Sequence, residues 1–166
     1  MIRQEVILVK LRIRQRVFAF ADAYDVYDEF GVAQYFVKAE LIALGHQIHV
    51  YDKKTGREVG TIHQRLLTLL PTFEIEINGR TVGTVRRELS FLRPRYDVDF
   101  LGWKAEGNIM GWDYRVTRSG RTVLTISKQV VSWSDTYTLE YDCVENEIPG
   151  LLLVIAIDAA NCTGKD

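Results

Sequence analysis

Strict alternation of apolar and polar residues dominates the first 142 positions of this chain. Tyr24-Asp25-Val26-Tyr27-Asp28, Gln47-Ile48-His49-Val50-Tyr51 and Thr72-Phe73-Glu74-Ile75-Glu76-Ile77 all follow it. So do Arg95-Tyr96-Asp97-Val98-Asp99-Phe100 and Tyr137-Thr138-Leu139-Glu140-Tyr141. A period of two, rich in β-branched and aromatic residues, predicts half-buried strands. Asn78-Gly79 between two such runs predicts a tight hairpin. Asp52 to Gly56, Arg118-Ser119-Gly120 and Glu29-Phe30-Gly31 predict further turns. A degenerate unit follows three of these turns: Gly56-Arg57-Glu58-Val59, Gly79-Arg80-Thr81-Val82 and Gly120-Arg121-Thr122-Val123. The unit is a β-hairpin used repeatedly in a meander, and the strand-like runs number about a dozen.

The pattern changes after Asp142. Leu151, Leu152, Leu153, Val154, Ile155, Ala156 and Ile157 form an unbroken apolar run that continues through Asp158, Ala159, Ala160 and Asn161. A central strand competes for this segment. The Ala-rich continuation and Pro149, tolerated in a first helical turn, favour a helix over 146–161, with Asn146 as its cap and Gly164 beyond its end. A helix apolar on every side must be buried on every side. Its six large aliphatic side chains contribute about 1.5–3 kcal/mol each, together comparable to the net stability of a domain. Strands surround a helix only by closing into a barrel, and roughly 11 strands leave room for one. The expected fold is therefore mainly β: a closed antiparallel barrel of about 12 strands around a central hydrophobic C-terminal α-helix. Residues 1–166 form a single domain, with 1–10 an N-terminal extension, 11–142 the barrel strands and 146–161 the helix.

Composition agrees with one globular domain: 166 residues, 47% hydrophobic and 26% charged. A net charge of -1 supplies no long-range pull toward nucleic acid, and none is expected as a partner. Cys143 and Cys162 form neither a disulfide framework nor a metal-ligand spacing, and two thiols fit a reducing, cytoplasmic setting. No apolar run approaches the ~20 residues of a membrane span. Trp112-Asp113 and Trp133-Ser134-Asp135 lie too close together for propeller blades, which recur every ~40 to 45 residues. A monomer is compatible with all of this.

Candidate chemistry is sparse. Lys10, Arg12, Arg14 and Arg16 alternate with apolar residues, so four cations share one strand face and could grip phosphate groups. The ordinary alternative is a solvated outer face paired to acids on a neighbouring strand, with Glu74, Glu76, Asp97 and Asp99 available. His49 and His63 become diagonal neighbours if the Lys54 loop closes a regular hairpin, but a metal site needs a third ligand. His46 stands apart. Asp158, behind the apolar run, reads as a structural anchor at the barrel mouth or as a catalytic carboxylate. Trp103, Trp112 and Trp133 read as core or rim packing, or as a stacking platform. Asp135 suits a turn-stabilising hydrogen bond before Thr136. No nucleophile elbow, P-loop, dinucleotide glycine pattern or zinc-protease helix is present, so neither a catalytic residue nor a cofactor or metal is assigned.

Several stretches together resemble the LURP-one-related family, which groups with the Tubby C-terminal and phospholipid scramblase-like folds. They are Ile13-Arg14-Gln15-Arg16-Val17-Phe18, Ile48-His49-Val50-Tyr51-Asp52, Leu70-Pro71-Thr72-Phe73-Glu74-Ile75, Val85-Arg86-Arg87, Ile126-Ser127-Lys128, Trp133-Ser134-Asp135-Thr136-Tyr137 and Ile155-Ala156-Ile157-Asp158-Ala159. The resemblance spans about Ile13 to Ala160 and implies a 12-stranded barrel around a hydrophobic C-terminal helix. It implies no catalytic residues. Tubby relatives bind phosphoinositides, but no lysine-rich motif here maps onto their site. The expected function is a non-enzymatic binding or scaffold module. It would recognise anionic phospholipid head groups or a protein partner on the barrel exterior, with Lys10, Arg12, Arg14 and Arg16 as the lipid candidates. The alternatives are an enzyme with a rim site and a protein–protein adaptor.

Overall fold

The computed structural model describes residues 9–14, 23–43, 45–92, 95–131 and 134–163, and within the strands all side chains except those of Arg14, Val130, Val131, Ser134 and Asp135. Twelve strands form one antiparallel sheet. They are β1 (Val9–Arg14), β2 (Ala23–Asp28), β3 (Ala33–Ile42), β4 (Gly45–Asp52), β5 (Glu58–Gln64) and β6 (Thr72–Ile77), followed by β7 (Arg80–Glu88), β8 (Arg95–Phe100), β9 (Trp103–Asn108), β10 (Asp113–Arg118), β11 (Arg121–Val131) and β12 (Ser134–Tyr141). Each strand pairs with its sequence neighbour, except that β1 also pairs with β12 and the ladder stops between β8 and β9. The sheet thus wraps into a nearly closed barrel. Its seam is bridged at one end by the tight Leu101-Gly102 turn, both residues at positive φ, and by an edge-to-face contact of Phe100 with Trp103, centroids 5.4 Å apart. The expected ring of twelve strands is present, with this one interruption in its hydrogen bonding. β1 begins at Val9, two residues inside the expected extension.

Antiparallel order fixes which connections share an end. The lower end carries β2–β3, β4–β5, β6–β7, β8–β9 and β10–β11; the upper end carries β3–β4, β5–β6, β7–β8 and β9–β10. The predicted turns are all lower turns. Asn78-Gly79 and Ser119-Gly120 have positive φ at both residues, as two-residue hairpins require. Four register shifts, at Val26/Tyr27, Val50/Tyr51, Ile75/Glu76 and Val116/Thr117, sit just before lower turns. Bulges add local twist, which a sheet needs in order to curl.

Asp28 holds the β2–β3 turn. Its carboxylate accepts hydrogen bonds from the Phe30 and Val32 N–H groups, each at 2.9 Å, and from Gln34 Nε2 at 2.8 Å. The Val32 bond leads the contacts that hold this carboxyl below its ordinary range. A lowered folded pKa contributes stability above the unfolded value near ~3.9, lost as pH falls through the folded value. Asp28→Ala should therefore lower the thermal midpoint at neutral pH and flatten its fall on acidification. Scanning calorimetry between neutral and strongly acidic pH reads both; an unchanged acid limb would remove Asp28 from this role.

α1 (Glu147–Cys162) enters from the lower end and runs up the axis, with every residue from Gly150 to Asn161 buried. Its start differs from expectation. Asn146 ends a short 3-10 turn (Val144–Asn146) and makes no side-chain cap. Its Nδ2 instead donates to Asp142 Oδ1 at 2.6 Å, stapling the entry loop. At the other end Thr163 Oγ1 donates to the Ala159 carbonyl at 2.9 Å, while Gly164 lies outside the described residues. Both ends of the rod are clasped by tyrosines. Tyr35 on β3 donates to Glu147 Oε1 at 2.5 Å, and Tyr96 on β8 donates to Asn161 Oδ1 at 3.0 Å. Glycines admit the rod. A Cβ on Gly60 would stand 2.4 Å from Leu152 Cδ1, and one on Gly150 would stand 2.4 Å from Tyr141 Cε1.

Candidate functional site

With α1 filling the axis, chemistry is left to the wall and the two ends. Alternation on β1 places Leu11 and Ile13 in the core and turns Lys10 and Arg12 outward. The strand's neighbours are β12 and β2, not β6 or β8. Lys10 Nζ lies 3.6 Å from Glu140 Oε1, directly across the ladder. Arg12 faces Thr138 and Tyr27; its Nε and the Thr138 Oγ1 are shielded from solvent without a hydrogen-bond partner. Arg14 faces Thr136 in the ladder, and Arg16 lies outside the described residues. Three of the four acids considered as partners for this stripe are engaged elsewhere: Glu74 with Arg65, Glu76 with His63 and Asp97 with Arg86; Asp99 lies on β8, opposite Thr84 of β7. That correction follows from strand order, since β6 and β8 belong to another arc of the barrel.

The β4–β5 hairpin brings His49 and His63 to diagonal positions on the outer wall, opposite Thr61 and Gln47. They do not converge. His49 Nδ1 lies 2.8 Å from Glu58 Oε2, and His63 Nε2 lies 3.3 Å from Glu76 Oε2. No group of three or more metal-ligating side chains occurs among the described residues. Burial holds the His46 imidazole below its ordinary pKa.

Asp158 sits near the upper end of α1, 5% exposed, and its Oδ2 accepts from Cys162 Sγ at 3.7 Å. Tyr24, Tyr96 and Tyr114 ring this region. Burial first, with the Asp158 charge behind it, raises the pKa of all three phenols. Trp103 and Trp112 are buried in the core, the latter 4.2 Å from the Tyr137 ring, so neither offers an open stacking face. Trp133 lies outside the described residues.

Open clefts on the wall are shallow. One of about 440 Å³ is lined by Arg65, Thr72, Thr84, Arg86, Asp97 and Asp99, with Arg86 paired to Asp97 and Arg65 to Glu74. Another places Lys53 Nζ 5.7 Å over the Phe36 ring, but Asp25 lies 3.1 Å from the same ammonium.

The upper end carries what alternation could not reveal. Leu67, Leu69, Phe91 and Leu92 are essentially fully exposed, Leu89 is largely so and Leu66 is half-exposed. They occupy the β5–β6 and β7–β8 connections, which lie side by side: the Arg87 N–H donates to the Pro71 carbonyl at 3.0 Å. The available signal was Leu66-Leu67-Thr68-Leu69-Leu70-Pro71, apolar without a period of two.

The sequence profile of the LURP-one-related family matches residues 9–158. The chain belongs to the LURP-one-related family. It is also 28% identical over 159 residues to an uncharacterised Bacillus subtilis protein, YxjI, covering 96% of this chain and 98% of the relative. An Arabidopsis thaliana protein solved by X-ray diffraction shares the fold with a TM-score of 0.63 at 16% identity, covering 93% of this chain and 91% of that one. These LURP-one-related similarities carry the barrel-and-helix architecture and no activity. No helix among the described residues is long and apolar enough to cross a membrane.

Proposed function

We propose that this LURP-one-related chain is a non-catalytic binding module that meets its partner with the outside of the barrel, and that an anionic phospholipid surface is that partner. The supporting observation is the filled interior: the axis that would hold a small substrate holds Leu151 to Ala160 instead. What remains for recognition is wall and rim, and the wall carries the outward cations of β1. Arg12 makes no ion pair among the described residues, and its shielded Nε has no hydrogen-bond partner, a donor that an oxyanion would satisfy. A cytoplasmic location fits this reading, because the inner leaflet is anionic and Cys143 and Cys162 are free thiols.

Co-sedimentation with vesicles tests it. The full chain should pellet with phosphatidylcholine vesicles containing phosphatidylserine and much less with phosphatidylcholine alone. The Arg12→Glu/Arg14→Glu double variant should bind several-fold more weakly at about 0.1 M salt, where the Debye length is still ~10 Å. Failure of the native chain to bind either vesicle overturns the lipid reading. Unchanged binding in the double variant removes the β1 stripe from it.

A further inference from the structure

The upper end of the barrel is shaped differently from the lower. Lower turns are short, and their exposed apolar residues, Phe30, Val32, Leu101 and Val144, are dispersed over three connections. The upper end concentrates Leu66, Leu67, Leu69, Leu89, Phe91 and Leu92 on two adjoining loops. So dense an exposed cluster marks an interaction site rather than the scattered apolar exposure of an ordinary surface. We infer that these two loops form an insertion rim, which seats the barrel on an anionic lipid bilayer with the C-terminal end of α1 facing the membrane.

Two features favour a bilayer over a protein. The first is protrusion. Leu67, Leu69, Phe91 and Leu92 stand clear of the barrel instead of tiling a flat patch, so each side chain can enter the acyl boundary separately. The second is charge. Residues 86–95 contain Arg86, Arg87, Arg93 and Arg95 against the single acid Glu88, and Arg65 opens the neighbouring loop. Arg65 and Arg86 are paired with Glu74 and Asp97, but neither Arg87 nor Arg95 makes an ion pair among the described residues; Arg95 is exposed, and Arg87 is half-buried with its Nη1 shielded. Apolar tips over basic bases complement a surface whose head groups are anionic and whose interior is hydrocarbon. β1 ends at this same end, so Lys10 and Arg12 lie on a strand that runs toward the membrane in this orientation.

The inference rests on the lipid reading above and adds an orientation and an apolar term to it. Raising salt from about 0.1 M to about 1 M shortens the Debye length from ~10 Å to ~3 Å and strips charge-only binding. Native chain on phosphatidylserine-containing vesicles should retain a measurable bound fraction at the higher salt. The loop variant Leu67→Ser/Leu69→Ser/Phe91→Ser/Leu92→Ser should lose that fraction entirely and bind at least about tenfold more weakly at the lower salt. All four positions are solvent-exposed, so its thermal midpoint should match the native one. Leu67→Trp should show a blue-shifted emission on these vesicles and quenching by brominated acyl chains. Native binding that the loop variant keeps at both salts, with no Leu67→Trp shift, overturns the insertion rim while leaving the lipid reading intact. No binding by the native chain overturns both. A native dimer that the loop variant converts to monomer, without vesicle binding, assigns the rim to a second copy and overturns the inference.

Discussion

Leu152→Asp leaves the chain without a cooperative thermal transition. Leu152 is fully buried at mid-rod, over the space that Gly60 leaves empty. Truncating a buried leucine costs about 2–5 kcal/mol, and placing an unpaired carboxylate there adds several more. Together they approach the ~5–15 kcal/mol that a whole domain has in reserve. Leu152→Met conserves volume and should cost less than about 1.5 kcal/mol, which separates a charge effect from intolerance of any change. Near-ultraviolet circular dichroism during heating reads both variants. A cooperative melt of Leu152→Asp near the native midpoint would mean that α1 is not the core of this protein.

Gly83→Ala loosens one edge of the sheet selectively. The added Cβ would stand 2.3 Å from the Asp99 carbonyl oxygen and 2.8 Å from Phe100 Cα, both backbone atoms that cannot rotate away. Gly83 faces Phe100 in the ladder, and β8 has no ladder partner other than β7. Overpacking of this kind costs about 1–3 kcal/mol. Strand β8 should move rather than β7, which β6 also holds. Amide hydrogen exchange should therefore accelerate across Arg95–Phe100 while β3 and β4 keep native protection. Uniform acceleration throughout the sheet, or none, contradicts this account.

The repeating turns made the fold legible. Asn78-Gly79 and Ser119-Gly120 announce hairpins through local chemistry alone, and Gln47 to Tyr51 announces its inward face by alternation. The diagonal placement of His49 and His63 followed from counting residues through one loop. What sequence withheld was whatever depends on distant strands. Lys10 meets Glu140 only because β1 closes against β12, a pairing 130 positions apart, and nothing local to Lys10 indicates it. The Asn146 cap failed because the residue ends a 3-10 turn in helical conformation and its side chain is held to Asp142 through Nδ2, so no helical N–H reaches its oxygen. The Leu66–Leu69 segment was invisible because a non-alternating apolar run between strands looks the same whether it packs inward or projects outward.

In this chain α1 follows every strand, yet all twelve are built around it. During synthesis on the ribosome the pleated wall emerges before its filler exists, and β1 must wait for β12 before either can settle. The nascent polypeptide therefore spends most of its elongation as an unclosed sheet with a greasy concave side, the species that chaperones hold. A stop codon anywhere before Leu151 should yield a product that is degraded or aggregates, however complete its strands.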